Sequence, residues 1–183
     1  MPRSNPIRIG ALIAAVLLVA IAWYLGSPLF IRTTVDEGLP TASRSSTEPA
    51  ASAAAIAATA LPASTTQTTV QRRGQLQYVD GLHNGKGTVL GVVIAGCCPV
   101  SDRYVLRFED VTITNAPDVH VYLSTERGGK WSEATSKYLG PLRATNGSFN
   151  YEIAPSDLGI YHSVVVWCRA FSVLVTWADL EPI

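Results

Sequence analysis

From Gly74 almost to the C-terminus, short β-type runs are set apart by Gly, Asn, Asp and Pro, and this pattern constrains the fold more than any other feature. The runs are "GQLQYV", "GTVLGVVI", "RYVLRFEDV", "DVHVYLS", "KYLGPLR", "SFNYEI", "HSVVVWC" and "FSVLVTW". Each has the usual length of a strand, and turn residues separate most of them. In "DVHVYLS", Val119, Val121 and Leu123 fall on one face, and His120, Tyr122 and Ser124 on the other. That alternation predicts a half-buried antiparallel strand. No helical periodicity of useful length interrupts the series. Seven or eight strands in about 110 residues predict an all-β domain, an antiparallel β-sandwich or partly closed barrel. A chain of that size forms one core without disulfide staples.

The preceding segments differ in kind. Between Ile9 and Ile31 no residue is charged. A run of roughly 20 apolar residues spans a bilayer as a helix. Arg3 and Arg8 precede it, and Trp23 and Tyr24 sit near its far end, where interfacial aromatics belong. The reading is an uncleaved transmembrane anchor over 9–31. Residues 1–8 are then cytoplasmic and the chain is a single-pass cell-membrane protein with an extracytoplasmic C-terminal domain. The competing reading is a cleaved signal peptide, whose apolar core is shorter. No cysteine follows closely enough for lipid attachment. Residues 32–73, rich in Ala, Ser, Thr and Pro, predict a flexible tether, and the all-β domain then covers 74–183.

Fourteen Lys and Arg balance fourteen Asp and Glu, with a pI of about 6.8. No basic stripe exists, which argues against nucleic acid as a partner. Of the three cysteines, Cys168 lies in an apolar run and Cys97 and Cys98 lie side by side in "AGCCPVSD". Buried cysteine often behaves as a small hydrophobe, and apolar surroundings raise a thiol's pKa. Arg169 falls on the opposite face and is no obvious activator. Cys97 and Cys98 form a candidate disulfide with each other, a strained vicinal bridge, or either pairs with Cys168, or the two lie exposed on a loop and Cys168 stays reduced. The histidines His83, His120 and His162 lack the spacing of a local metal motif, and no metal site is predicted. No nucleophile elbow is present. Asp118 is read as a turn residue bonding to its own backbone.

The stretches "GQLQYVDGLHNGKGT", "YVLRFEDVTITNAPDVHVYLS", "YLGPLRATNGSFNYEI" and "YHSVVVWCRAFSVLVTWADL" together resemble the DM13 domain family, found in membrane-tethered bacterial proteins and animal extracellular proteins. The resemblance implies an electron-transfer component. The family's characteristic cysteine, here Cys168 in "WCRAF", would be a redox thiol or the ligand of a prosthetic group. Haem is a candidate for that group, and His83 in "HNGKG" a second cofactor-binding residue. Covalent c-type attachment is excluded, since C-x-x-C-H is missing. The sequence departs from the family pattern at Ala116, where glycine is usual, and at the Cys97–Cys98 insertion. An electron-transfer or binding module is expected before a turnover enzyme, with an envelope redox protein or surface protein as partner. The alternative is a non-catalytic surface-binding or scaffolding domain with Cys168 packed in its core.

Overall fold

The computed structural model describes residues 6–30, 32–40, 67–96 and 102–183, with the side chains of its first helix given for Gly10–Tyr24 and Gly26. Helix α1 covers Pro6–Phe30. The strands are β1 (Thr34–Asp36), β2 (Thr68–Gln75), β3 (Gly85–Ile94), β4 (Arg103–Ile113), β5 (Val119–Ser124), β6 (Ser136–Pro141), β7 (Asn146–Ile153), β8 (Ser163–Cys168), β9 (Val173–Asp179) and β10 (Glu181–Pro182). A short helix α2, Asp157–Ile160, precedes β8.

Two sheets face one another. One has the order β1-β7-β4-β3-β2-β10 and the other β6-β5-β8-β9. The result is a sandwich with open edges and not a closed barrel. The core lies between the sheets because the long central strands alternate apolar residues toward it. Val119, Val121 and Leu123 of β5 and Val164, Val166 and Cys168 of β8 meet Val89, Leu106 and Phe108 of the larger sheet there. Phe108 and Phe149 are directly paired across β4 and β7, with their rings stacked 4.9 Å apart. Cross-strand aromatic pairs of this kind add stability beyond the area they bury. On the opposite face of β3 and β4, Leu90, Val92, Ile94 and Val105 form a second apolar cluster.

The predicted domain edge at 74 falls inside β2, which starts at Thr68. The first half of β2 is almost wholly exposed, so no apolar alternation marks it in the sequence. Part of the predicted tether is likewise in the sheet. β1 pairs in parallel with β7, and Glu37 just after it is tied down by backbone and side chain, its N–H donating to the Ser148 carbonyl at 2.7 Å. Its carboxylate accepts from Arg143 Nη1 at 3.0 Å and from the Asn150 amide at 3.1 Å, and its carbonyl accepts from Arg107 Nη1 at 2.9 Å. Gly147 makes that pairing possible. Its φ is +100°, and a Cβ there would lie 2.0 Å from the Val35 carbonyl oxygen. The central part of the predicted tether, and Cys97 and Cys98 with their candidate disulfide, lie outside the described residues.

Among the described residues, no helix is long and apolar enough to cross a membrane. This overturns the expected single-pass, membrane-anchored localisation. Arg8 lies within α1 at one end, and Gly26, Ser27 and Pro28 interrupt its apolar run at the other. The run between them rises roughly 25 Å at α-helical pitch, short of a hydrocarbon core of about 30 Å.

Candidate functional site

β8 and β5 run antiparallel at the centre of the smaller sheet, with Cys168 opposite Val119 and Trp167 opposite His120. Alternation then separates two faces. Cys168 points into the core, where its exposure is 0%. Its thiol donates to the Pro117 carbonyl oxygen at 2.9 Å. Pro117 opens the corner that leads into β5, and Asp118 follows with a φ of +57°, in the left-handed region that asparagine and aspartate tolerate best. The next residue along fixes the corner as well, since Arg169 N donates to the Asp118 carbonyl at 3.0 Å.

The other face of this sheet carries polar and aromatic side chains in contact. His120 Nε2 lies 2.6 Å from Asp118 Oδ1, and His120 Nδ1 lies 2.8 Å from the Tyr138 hydroxyl. A carboxylate only accepts, so Nε2 carries the proton and donates to Asp118. When the ring is neutral, Nδ1 is the acceptor and the Tyr138 hydroxyl donates to it. Asp118 therefore does more than the turn-stabilising role read from the sequence. The β5–β6 register brings the pair together. A bulge between Val121 and Tyr122 places Tyr138 opposite Tyr122 and skips Leu139.

From Tyr138 an aromatic row continues across the sheet. Tyr138 and Tyr122 have ring centroids 5.3 Å apart, Tyr122 stacks on Trp131 at 4.6 Å, and Trp131 meets the edge of Trp167 at 5.0 Å. The Arg169 guanidinium sits 4.7 Å above the Tyr138 ring, and its Nε donates to the Tyr122 hydroxyl at 2.7 Å. Arg169 thus lies away from Cys168, as alternation predicts.

Trp131 comes from the β5–β6 loop, which two buried serines pin to the sheet. Ser124 Oγ donates to the Lys130 carbonyl at 3.0 Å, and Ser163 Oγ donates to the Glu126 carbonyl at 2.6 Å. Gly129, with φ +75°, lets the loop lie flat, because a Cβ there would press on Leu174 and Trp177. The loop covers the outer side of β5, so that strand is buried on both faces instead of one.

A cleft of about 270 Å³ opens beside the corner, lined among others by Asp118, His120, Pro141 and Arg143. Cys168 does not reach it. A haem ligated through Cys168 does not fit this arrangement. The sulfur has no open face, and its hydrogen is committed to Pro117. His83 stands apart from this site. Its Nδ1 lies 2.8 Å from Asp80 Oδ2, and the Leu82 and His83 amides both donate to Asp80 Oδ1 at 2.7 Å. It closes the β2–β3 turn. Among the described residues, no three His, Cys, Asp or Glu side chains gather to hold a metal.

Cys168, the expected centre of the site, lies outside the aromatic row, whose members come from β5, β6, β8 and a loop and share no local sequence pattern. The signal that was present is the outward set His120, Tyr122 and Trp167, since three aromatic rings on neighbouring strands share one face.

No curated protein and no solved structure matched the chain. Residues 79–180, more than half of the chain, match the family described as "Electron transfer DM13". That span contains the corner, the His120–Tyr138 pair, the aromatic row and Cys168, and on this match the chain belongs to the DM13 electron-transfer family.

Proposed function

We propose that this chain is a one-electron transfer module whose path is the aromatic face of the smaller sheet, with Cys168 as a positioning residue beneath it. The observation that carries the reading is the unbroken row Tyr138–Tyr122–Trp131–Trp167, with centroids no more than 5.3 Å apart. Tyrosine and tryptophan are the readily oxidised aromatic side chains, and π-systems in van der Waals contact exchange electrons efficiently. Tyr138 is 46% exposed, so a partner can reach one end of the row. An electron leaves to an oxidised centre docked on this face and is replaced by a reduced one, with no net change in the protein. The partner class is a redox protein or small redox molecule.

The surroundings of Cys168 support a structural role. A carbonyl oxygen is no base for its proton, and the sulfur is wholly buried in the core. Its bond to Pro117 holds the corner from which Asp118 reaches His120.

Stopped-flow mixing with a one-electron oxidant such as hexachloroiridate(IV) tests the assignment. The wild-type and Cys168→Ala proteins should reduce it at similar rates. A Tyr138→Phe, Trp131→Phe double variant should be slower by about tenfold or more, equivalent to about 1.4 kcal/mol of barrier. If Cys168→Ala stops the reaction and the double variant does not, sulfur is the carrier. If the folded wild-type protein reduces no oxidant, the domain is a binding or scaffolding module.

A further inference from the structure

Resting on that reading of the aromatic face, we propose that Tyr138 is a proton-coupled redox tyrosine, with His120 as its proton acceptor and Asp118 as the group that sets and stabilises the imidazole. Losing an electron turns a phenol into a very strong acid. Oxidation is therefore far easier when a base already holds the phenolic proton. His120 Nδ1 is that base, at 2.8 Å. The tautomer follows from Asp118, whose carboxylate takes the Nε2 proton at 2.6 Å and leaves Nδ1 with its lone pair.

The step balances as follows. Tyr138 gives one electron to the oxidant and its hydroxyl proton to His120, producing a neutral tyrosyl radical, an imidazolium and the reduced oxidant. The imidazolium is then paired with the Asp118 carboxylate. Reduction by a one-electron donor returns the proton along the same bond. The oxidant class is a one-electron acceptor of high potential, such as the oxidised metal centre of a redox protein.

Neighbouring charges favour coupling over simple electron loss. Arg169 lies 4.7 Å above the ring, and a cation there opposes a tyrosine radical cation far more than a neutral radical. Tyr122 and Tyr151 have other partners. Tyr122 receives a hydrogen bond from Arg169 Nε, and Tyr151 donates to the Pro141 carbonyl. The His120 side chain is only 10% exposed while that of Asp118 is 46% exposed, so the proton-holding ring is shielded and its counter-charge meets the cleft.

The test uses the full chain and photogenerated ruthenium(III) tris-bipyridine as oxidant, read by transient absorption and freeze-quench electron paramagnetic resonance. The wild-type protein should give a tyrosyl radical that Tyr138→Phe removes. His120→Gln should slow its formation roughly 10–100-fold. In His120→Ala, added imidazole should restore the rate. The wild-type reaction should run slower in D₂O, and Asp118→Asn should slow it while leaving the radical in place. Melting curves establish that each variant is folded, and Asp118→Asn, which keeps the imidazole, serves if His120 variants are not. A wild-type tyrosyl signal that survives in Tyr138→Phe, or a rate unchanged in His120→Gln or in folded Asp118→Asn, overturns the proposal. Oxidation of Trp131 followed by transfer to Tyr122 in the Tyr138→Phe protein leaves the aromatic path standing even then. Loss of that transfer too would remove both.

Discussion

Replacing Cys168 by alanine distinguishes a positioning sulfur from a carrier sulfur. The substitution removes one sulfur atom from a site with no exposure. Its lost burial and the small void left behind cost about 1 kcal/mol. The Pro117 carbonyl also loses its donor, which adds about 1 kcal/mol. A total near 2 kcal/mol lowers the melting temperature by roughly 6–10 °C for a domain of this size. Cys168→Ser keeps a donor at the position and should fall between the two proteins. The corner should loosen too. Asp118 holds a left-handed backbone that costs about 1 kcal/mol, and the amides around it should exchange faster in Cys168→Ala. Thermal melting, amide exchange and oxidant reduction on the same samples give the assay. A Cys168→Ala protein that melts with the wild type and exchanges identically at the corner, yet no longer reduces the oxidant, would refute the positioning argument.

Three other outcomes follow from the geometry. Burial holds the Tyr151 phenol above its ordinary value, against the opposing Arg143 backbone N–H. Its contribution to stability is therefore full below the unfolded value near pH 10 and is lost as pH rises through the folded value. Spectrophotometric titration should show one tyrosine that ionises only on unfolding, and reversible ionisation of every tyrosine in the folded protein would contradict this. Asp80 is held below its ordinary value, chiefly by the His83 side chain and then by the Leu82 and His83 amides. The turn should thus be intact above the unfolded carboxylate value and lose protection as pH falls through the folded one, seen as faster exchange of those two amides in acid. Gly147→Ala should cost about 1–2 kcal/mol from backbone conformation alone, and more from the clash with Val35. Melting should register that loss, and amide exchange at Glu37 should show β1 detached from β7.

Much of the sandwich was legible because burial imposes alternation. Seven of the predicted runs, from "GTVLGVVI" to "FSVLVTW", overlap β3 to β9. β2 was read late because its first residues are exposed and carry no apolar pattern. β1 is three residues long, pairs in parallel with a distant strand, and depends on Gly147, none of which a local pattern encodes. The inward direction of Cys168 and the outward direction of Arg169 follow from period two, and the structure has both. The partners of His120 do not follow from it. They depend on the bulge in the β5–β6 pairing and on the left-handed Asp118, which are products of packing. Trp131 sits in a loop with no apolar pattern, and the Ser124 and Ser163 bonds and the flat Gly129 bring it onto the sheet.

The central claim is that electrons move along the aromatic face, and time-resolved oxidation of the full chain tests it most directly. After a flash, the wild-type protein should show tryptophanyl absorption that decays as tyrosyl absorption grows with the same rate constant. With Tyr122 replaced by phenylalanine, the ring between Trp131 and Tyr138 stays in place but is no longer readily oxidised, and the tryptophanyl signal should persist at least about tenfold longer. Identical decay in the wild-type and Tyr122→Phe proteins would contradict the account.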